Sequence, residues 1–264
     1  MLIAQISDLH IRPEGALYAN LVDSNAMAAA AVRHVNALAP RPDLVIVTGD
    51  IVEEGTETEY AVAKRILDEI EIPYFVIPGN HDAPDAFRRA FADHRYLPDA
   101  GPLHYCVDAH PLRIVALDST VSGKHHGEIG PSGLAWLEQV LARESARPTL
   151  ILMHHHPFHS GIAFLDNIRH LDAEALEAIV RRFEAVQRVL CGHVHRVIWA
   201  RFGQTFATSC PSTCSQIALR LDPAAKPASC LEPPGGLLHL WRPGAGLVSH
   251  LSPIGDYGPA MPFF

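Results

Sequence analysis

Five short groups of residues in this chain bring carboxylate, amide and imidazole together in spacings suited to gathering metal ions. They are Asp8-Leu9-His10, Gly49-Asp50, Gly79-Asn80-His81-Asp82, His154-His155-His156-Pro157 and Gly192-His193-Val194-His195. Imidazole is a common metal ligand and the side chain that changes charge near neutral pH. In an extended segment residues two apart point the same way, so Asp8 would share one target with His10, and His193 with His195. Singly these groups are weak signals. Gly-Asp and Gly-Asn make turns, and a His triplet can end a strand in water. Together, each directly after a short apolar run, they point to one shared site.

Those runs are Leu2–Ile6, Leu44–Val47, Tyr74–Ile77, Leu150–Met153 and Val189–Cys191, with another at Ile114–Leu117. Helix-period stretches lie between several of them, roughly over 23–38, 56–70, 132–144 and 173–183. Pro42, Pro73 and Pro148 separate helix from following strand, where a helix cannot continue. Strand and helix in alternation predict an α/β fold with mostly parallel strands. Continuous rather than alternating apolar runs fit strands covered on both faces. The C-terminal ends of such strands form the ligand crevice, which is where all five groups fall.

After about residue 196 the pattern changes. Val197–Arg201, Gln204–Thr208, Ser215–Leu221, Leu237–Trp241 and Leu247–Leu251 read as short antiparallel strands, and Asp222–Gly236 as loop. The expected division is a catalytic core over 1–196 and a C-terminal β-rich segment over 197–264. No internal repeat or low-complexity tract interrupts either part.

Composition sets the outer bounds. The chain has 264 residues, 48% of them hydrophobic, which is too apolar for disorder and long enough to bury a full core. No apolar run approaches the roughly 18 residues of a membrane span. The N-terminus has no basic, apolar leader pattern, so a cytoplasmic protein is expected. The five Cys are odd in number and lack paired C-x-x-C spacing, so reduced thiols are expected, although Cys210 and Cys214 could bridge each other or Cys230. A net charge of −8 and the lack of a basic, aromatic stripe argue against a nuclease or other nucleic-acid binder. The 17 His nearly equal the 21 Lys and Arg, and that excess asks for a use.

The order of the five groups resembles the calcineurin-like metallophosphoesterases, whose pattern is D-x-H, GD, GNH followed by Asp or Glu, H, and GHxH. The resemblance covers residues from about 1 to 196, with every element intact. Leu17-Tyr18 through Asn25, with Asp50-Ile-Val and Asn80-His-Asp, is similar to bacterial glycerophosphodiesterases of that superfamily. Asp118-Ser119, His126-Gly127-Glu128, Trp136-Leu137-Glu138, the His triplet and Pro211-Ser-Thr-Cys are similar to its class III cyclic-nucleotide phosphodiesterases. The fold so implied is a four-layer αββα sandwich, with the C-terminal β-rich segment over 197–264 completing it and open to forming a dimer contact.

The resemblance also implies roles. One metal would be held by Asp8, His10 and His195, another by Asn80, His154 and His193, with Asp50 bridging both. His154 is chosen within the triplet because the family's ligand is the first His after the strand, 39 residues before His193, with His155 as the fallback. Two divalent ions outweigh two carboxylates, so the crevice would stay positive and favour an anionic substrate. Mixed N and O ligands suit Mn, Fe, Co or Zn rather than Mg. The implied reaction is in-line attack of a metal-bridging hydroxide on a phosphodiester. His81 would steady or protonate the phosphoryl or leaving-group oxygen. The lead substrates are 3′,5′-cyclic nucleotides such as cyclic AMP. Glycerophosphodiesters, or a broader range including phosphomonoesters, are the alternative. The pattern departs from the glycerophosphodiesterases at Ser215, where they carry a His near the substrate. A non-catalytic protein on this fold would need lost ligands, and none is lost.

Other polar residues have blander readings. His125 and His126 belong to a polar loop at the crevice edge, and exposure is their default. His159 and His170 flank a loop after the triplet and are expected at the surface. His34, His94, His104, His110, His239 and His250 read as structural or surface. The terminal Met261-Pro-Phe-Phe is apolar and would pack on the core or on a second copy, a weak sign of a homo-oligomer.

Overall fold

The computed structural model describes residues 1–259 and 261–263. Its first sheet is built from β1 (Leu2–Ile6), β2 (Leu44–Thr48) and β3 (Tyr74–Ile77), which run parallel. The second sheet starts with β4 (Tyr105–Val107), antiparallel to β5 (Arg113–Ala116). It continues through β6 (Thr149–Leu152) and β7 (Val186–Cys191), parallel to β5. Helices α1 (Ser24–Ala37), α2 (Glu57–Leu67) and α3 (Pro84–Ala90) belong to the first half, and α4 (Gly130–Arg143), α5 (Ala163–Asp166) and α6 (Ala173–Val180) to the second.

The layering follows from the alternation of side chains within fully buried strands. Ile3, Leu44, Ile46, Ile77, Ile114, Leu150 and Leu152 pack together between the sheets. Their neighbours Ala4, Val45 and Val47 face outward onto α1 and α2. Val115, Ile151 and Val189 face outward onto α4 and α6. The result is the expected α/β sandwich of four layers. Several element ends match local chemistry. Thr56 and Glu59 form a capping box at the start of α2, and the Asp23 carboxylate accepts from the Ala26 amide at the start of α1.

The segment after residue 196 contributes to both sheets. β8 (Ile198–Phe202) and β9 (Thr205–Ser209) form a hairpin, and β9 pairs parallel to β7. β12 (Gly235–Arg242) lies antiparallel to β1, and β13 (Gly246–Pro253) antiparallel to β12 at the edge. The expectation of purely antiparallel pairing here is corrected by β9. The expected strand over Ser215–Leu221 is only a two-residue rung, β10 (Gln216–Ile217), opposite β11 (Ser229–Cys230). Leu219 and Leu221 are exposed and have no sheet face to cover them. Met261 and Phe263 are also exposed, while Phe264 lies outside the described residues. Among the described residues no helix is long and apolar enough to cross a membrane. All five Cys are free thiols.

One buried polar chain ties the layers. Gln5 on β1 donates from its amide to Thr48 Oγ1 on β2 at 3.0 Å and to the Cys191 carbonyl on β7 at 3.2 Å. Its amide oxygen lies 2.9 Å from Nε2 of His239 on β12, whose Nδ1 lies 2.8 Å from Ser249 Oγ. Burial pushes His239 down to about 3, so it stays neutral in the fold. The unfolded chain takes up a proton near the ordinary value of 6.5, so this residue's contribution is complete above that pH and fades as pH falls toward 3. We expect His239→Gln, which keeps a donor for Gln5 but cannot titrate, to shrink the stability difference between pH 7 and pH 4 by about 2–3 kcal/mol. Urea melts at the two pH values measure this. An unchanged difference would contradict it.

Candidate metal centre

The five groups leave their strands at one edge of the sandwich, where the two sheets meet. Backbone bonds lash the loops together: Asp8 N–H to Gly49 O, His10 N–H to Asp50 O, and Gly192 N–H to His154 O. The expected extended geometry of Asp8-Leu9-His10 and His193-Val194-His195 is not how the chain does it. Asp8, His10, Asp50, His193 and His195 all have left-handed backbones, with φ of 54°, 47°, 47°, 70° and 49°. Each such residue costs about 1 kcal/mol or more. The turns bury Leu9 and Val194 in the hydrophobic clusters and leave the flanking polar side chains facing the crevice.

Two clusters result: Asp8 with His10 and His195, and Asp50 with His154 and His193. In the first, His195 Nε2 is 3.4 Å from Asp8 Oδ1 and 3.1 Å from His10 Nε2. In the second, His154 Nε2 is 3.2 Å from Asp50 Oδ2 and 3.3 Å from His193 Nδ1. Asp50 Oδ2 also lies 3.9 Å from His10 Nε2, so Asp50 stands between the clusters. All these side chains are buried.

The ring nitrogens facing away from the clusters meet groups that can only accept. His10 Nδ1–H donates to Glu53 Oε2 at 2.6 Å, His154 Nδ1–H to Thr48 O at 2.8 Å, and His195 Nδ1–H to Ser215 O at 2.7 Å. That satisfies Nδ1 from behind, so three Nε2 atoms point inward, where a proton or a cation can be held. Lone pairs at such separations repel unless a positive charge lies between them. Asn80 adds a buried carbonyl oxygen, Oδ1, with no hydrogen-bond partner. The donor set therefore fits a pair of divalent cations.

The electrostatics agree. Burial opposes charge on Asp50, yet the adjoining His154 and His81 hold its carboxyl well below the usual range. Asp8 is likewise lowered against burial by His195 and His154. Against the same opposing burial, Asp50 raises His154 to about 9, and Asp8 raises His195. His193 and His155, with weaker carboxylate neighbours, are driven well below the ordinary value by burial. Each carboxylate–imidazole pair thus attracts one positive charge.

His81 stands beside the clusters, not in them. Its Nδ1–H donates to the Glu53 carbonyl at 2.8 Å, and its ring lies 5.0 Å from that of His10. His10, Glu53 and His81 also form a metal-sized group, but their facing atoms are already satisfied by one another. Asp82 accepts from the amides of Gly79 and Ile51 and from the Tyr60 hydroxyl, which binds the Asn80 loop to the Asp50 loop.

His155, the fallback ligand, is instead 2.8 Å from Ser119 Oγ through Nδ1, outside both clusters. His156 is buried nearby. His125 is exposed and His126 half-buried, while His159 lies at the surface 3.7 Å from Asp166. His170 corrects the surface expectation, because it is fully buried where its N–H meets the His156 carbonyl. Sequence reasoning missed Glu53, Tyr18 and the Thr48 and Ser215 carbonyls. The Tyr18 ring lies 4.8 Å from His10. A backbone carbonyl leaves no signal in the sequence.

Two carboxylate–imidazole clusters joined at one edge of a four-layer sandwich define a metal-dependent hydrolase of the two-cation type. The chain belongs to the calcineurin-like phosphoesterase family, whose profile matches residues 1–197 and whose members use a binuclear metal centre. It is 35% identical to the "Probable glycerophosphodiester phosphodiesterase GpdQ" of Arcobacter nitrofigilis, over 100% of this chain and 97% of that protein. It is 32% identical to the 3′,5′-cyclic adenosine monophosphate phosphodiesterase CpdA of Escherichia coli K12, over 81% of this chain and 76% of that one. In fold it is similar to a dimetal phosphatase from Danio rerio, with a TM-score of 0.64, 14% identity, and coverage of 97% and 99%.

A methyl group on Gly79 would strike the Asp50 carboxylate, and one on Gly192 the Ser7 hydroxyl and the Asp8 carboxylate. We expect Gly79→Ala and Gly192→Ala each to abolish the rise in melting temperature that added Mn²⁺ gives the unsubstituted chain. An undiminished rise would show that the ligands do not need that close approach.

Proposed function

We propose that this phosphodiester hydrolase holds two cations, one by Asp8, His10, His195 and Asp50, the other by Asp50, Asn80, His154 and His193. The observation that carries the reading is Asp50, the single carboxylate within reach of both clusters. The mixed N and O donors suit Mn, Fe, Co or Zn. When bound, such a pair polarises phosphoryl oxygens and lowers the pKa of water.

The rest falls to the chain's own groups. The four imidazoles and the Asn80 amide keep the crevice from becoming negative, which lets an anionic diester approach within a chain of net charge −8. The Glu53 carbonyl accepts a hydrogen bond from His81 Nδ1–H, which leaves Nε2 to meet a phosphoryl or leaving-group oxygen. Asp82 fixes the loop that carries His81, so the imidazole is oriented before substrate arrives.

Small diesters are the substrate class. Glycerophosphodiesters come first, because the similarity to the glycerophosphodiesterase runs the whole length of both proteins. Cyclic nucleotides, first on motif text alone, remain the second reading, supported by the similarity to the cyclic-AMP enzyme. Protein loaded with Mn²⁺ should hydrolyse bis-p-nitrophenyl phosphate, and then glycerophosphoethanolamine faster than cyclic AMP. The reverse order would reverse the assignment, and metal-loaded protein inert toward every diester would refute the reading. Asp50→Ala should lose paired-metal binding and at least about 10²–10³-fold in turnover. If that variant kept two metals and full activity, the bridging role would be wrong.

A further inference from the structure

Asn80 is the one amide in the proposed ligand set, and an amide has two unlike ends. Its oxygen can bind a cation and its NH₂ cannot, yet the two ends are almost the same shape. Packing alone therefore chooses weakly between them, and something chemical must set the orientation. Asn80 Oδ1 is buried and makes no hydrogen bond. Asn80 Nδ2 lies 3.4 Å from Nδ1 of His125.

His125 comes from the opposite half of the molecule. Asn80 follows β3 of the first sheet, while His125 lies in the loop between β5 and α4 of the second. The imidazole is exposed at the crevice rim, with its ring 6.0 Å from that of His81. A ring nitrogen that accepts from the Asn80 NH₂ leaves the carbonyl turned inward. If that acceptor is lost, either amide orientation is available, and the reversed one presents N–H bonds to the cation.

We propose that His125 is a positioning residue that sets the amide orientation of Asn80, and so the affinity of the cation shared by Asp50, Asn80, His154 and His193. The inference rests on the ligand set proposed above and adds to it a rim residue that no other ligand contacts. The cation and the imidazole select each other's form. The cation requires oxygen inward, and the outward NH₂ then requires His125 to keep Nδ1 as an acceptor, with its proton on Nε2.

The test is Mn²⁺ titration of the full-length protein, without substrate, by calorimetry and electron paramagnetic resonance. His125→Ala should weaken one of the two binding events by about 10–100-fold and leave the other unchanged. His125→Gln, with a carbonyl acceptor on a side chain of similar reach, should restore most of that loss. A carboxylate has no wrong end, so His125→Ala should cost nothing further in an Asn80→Asp background. The proposal falls if His125→Ala binds both ions as the unsubstituted chain does. It falls equally if the loss persists undiminished in the Asn80→Asp background. A raised KM with both affinities intact would make His125 a substrate contact and overturn the positioning role. Because these are binding measurements, they are independent of whether any diester is hydrolysed.

Discussion

The structure is organised around a repulsion. Carboxylate oxygens and imidazole lone pairs from four separate loops are held 3.1 to 3.4 Å apart in a buried crevice. Without positive charge between them that arrangement is unfavourable, and the fold must supply the force that keeps it. It does so in three ways. Left-handed turns anchor Leu9 and Val194 in apolar clusters and turn the polar neighbours outward. Glycines at 79 and 192 let carboxylates come within contact of the backbone. Acceptors behind the rings, Glu53, Thr48 O and Ser215 O, prevent the imidazoles from rotating or changing tautomer.

Thr48 shows how closely site and core are joined. Its hydroxyl belongs to the polar chain from Gln5 to His239, while its carbonyl holds His154. The same carbonyl also accepts from Ser7 Oγ, one residue before Asp8. Strand register and ligand position are therefore set by the same few atoms. A slip of β1 against β2 would displace the polar chain and the crevice together. Buried polar groups this well satisfied add rigidity as well as cohesion.

Much of this was legible in the sequence. That the five groups converge could be read because metal chemistry restricts residue type, and because each group follows an apolar run ending in a turn. The α/β alternation could be read from strands with no polar face, whereas the four layers came from the family resemblance. What could not be read was conformation that depends on neighbours. The left-handed backbone of Asp8 looks like any strand end in sequence. β9 lies parallel to β7 because the hairpin swings back across the sheet, not because of its own residues. α3 was missed because its seven residues, the first of them Pro84, offer too short a period. His170 reads as a polar loop residue, but the loop that carries it folds inward beside the triplet.

The two halves of each cluster lie far apart along the chain, and that has a topological meaning. His10 and His195 are separated by 185 residues, and His154 follows Asp50 only after β4, β5, α4 and β6 of the other half. Neither cluster exists in either sheet alone. An ion bound here acts as a clasp across most of the polypeptide, closing loops whose entropic cost rises only slowly with length. A local opening between the sheets would disperse its ligands while leaving each sheet intact.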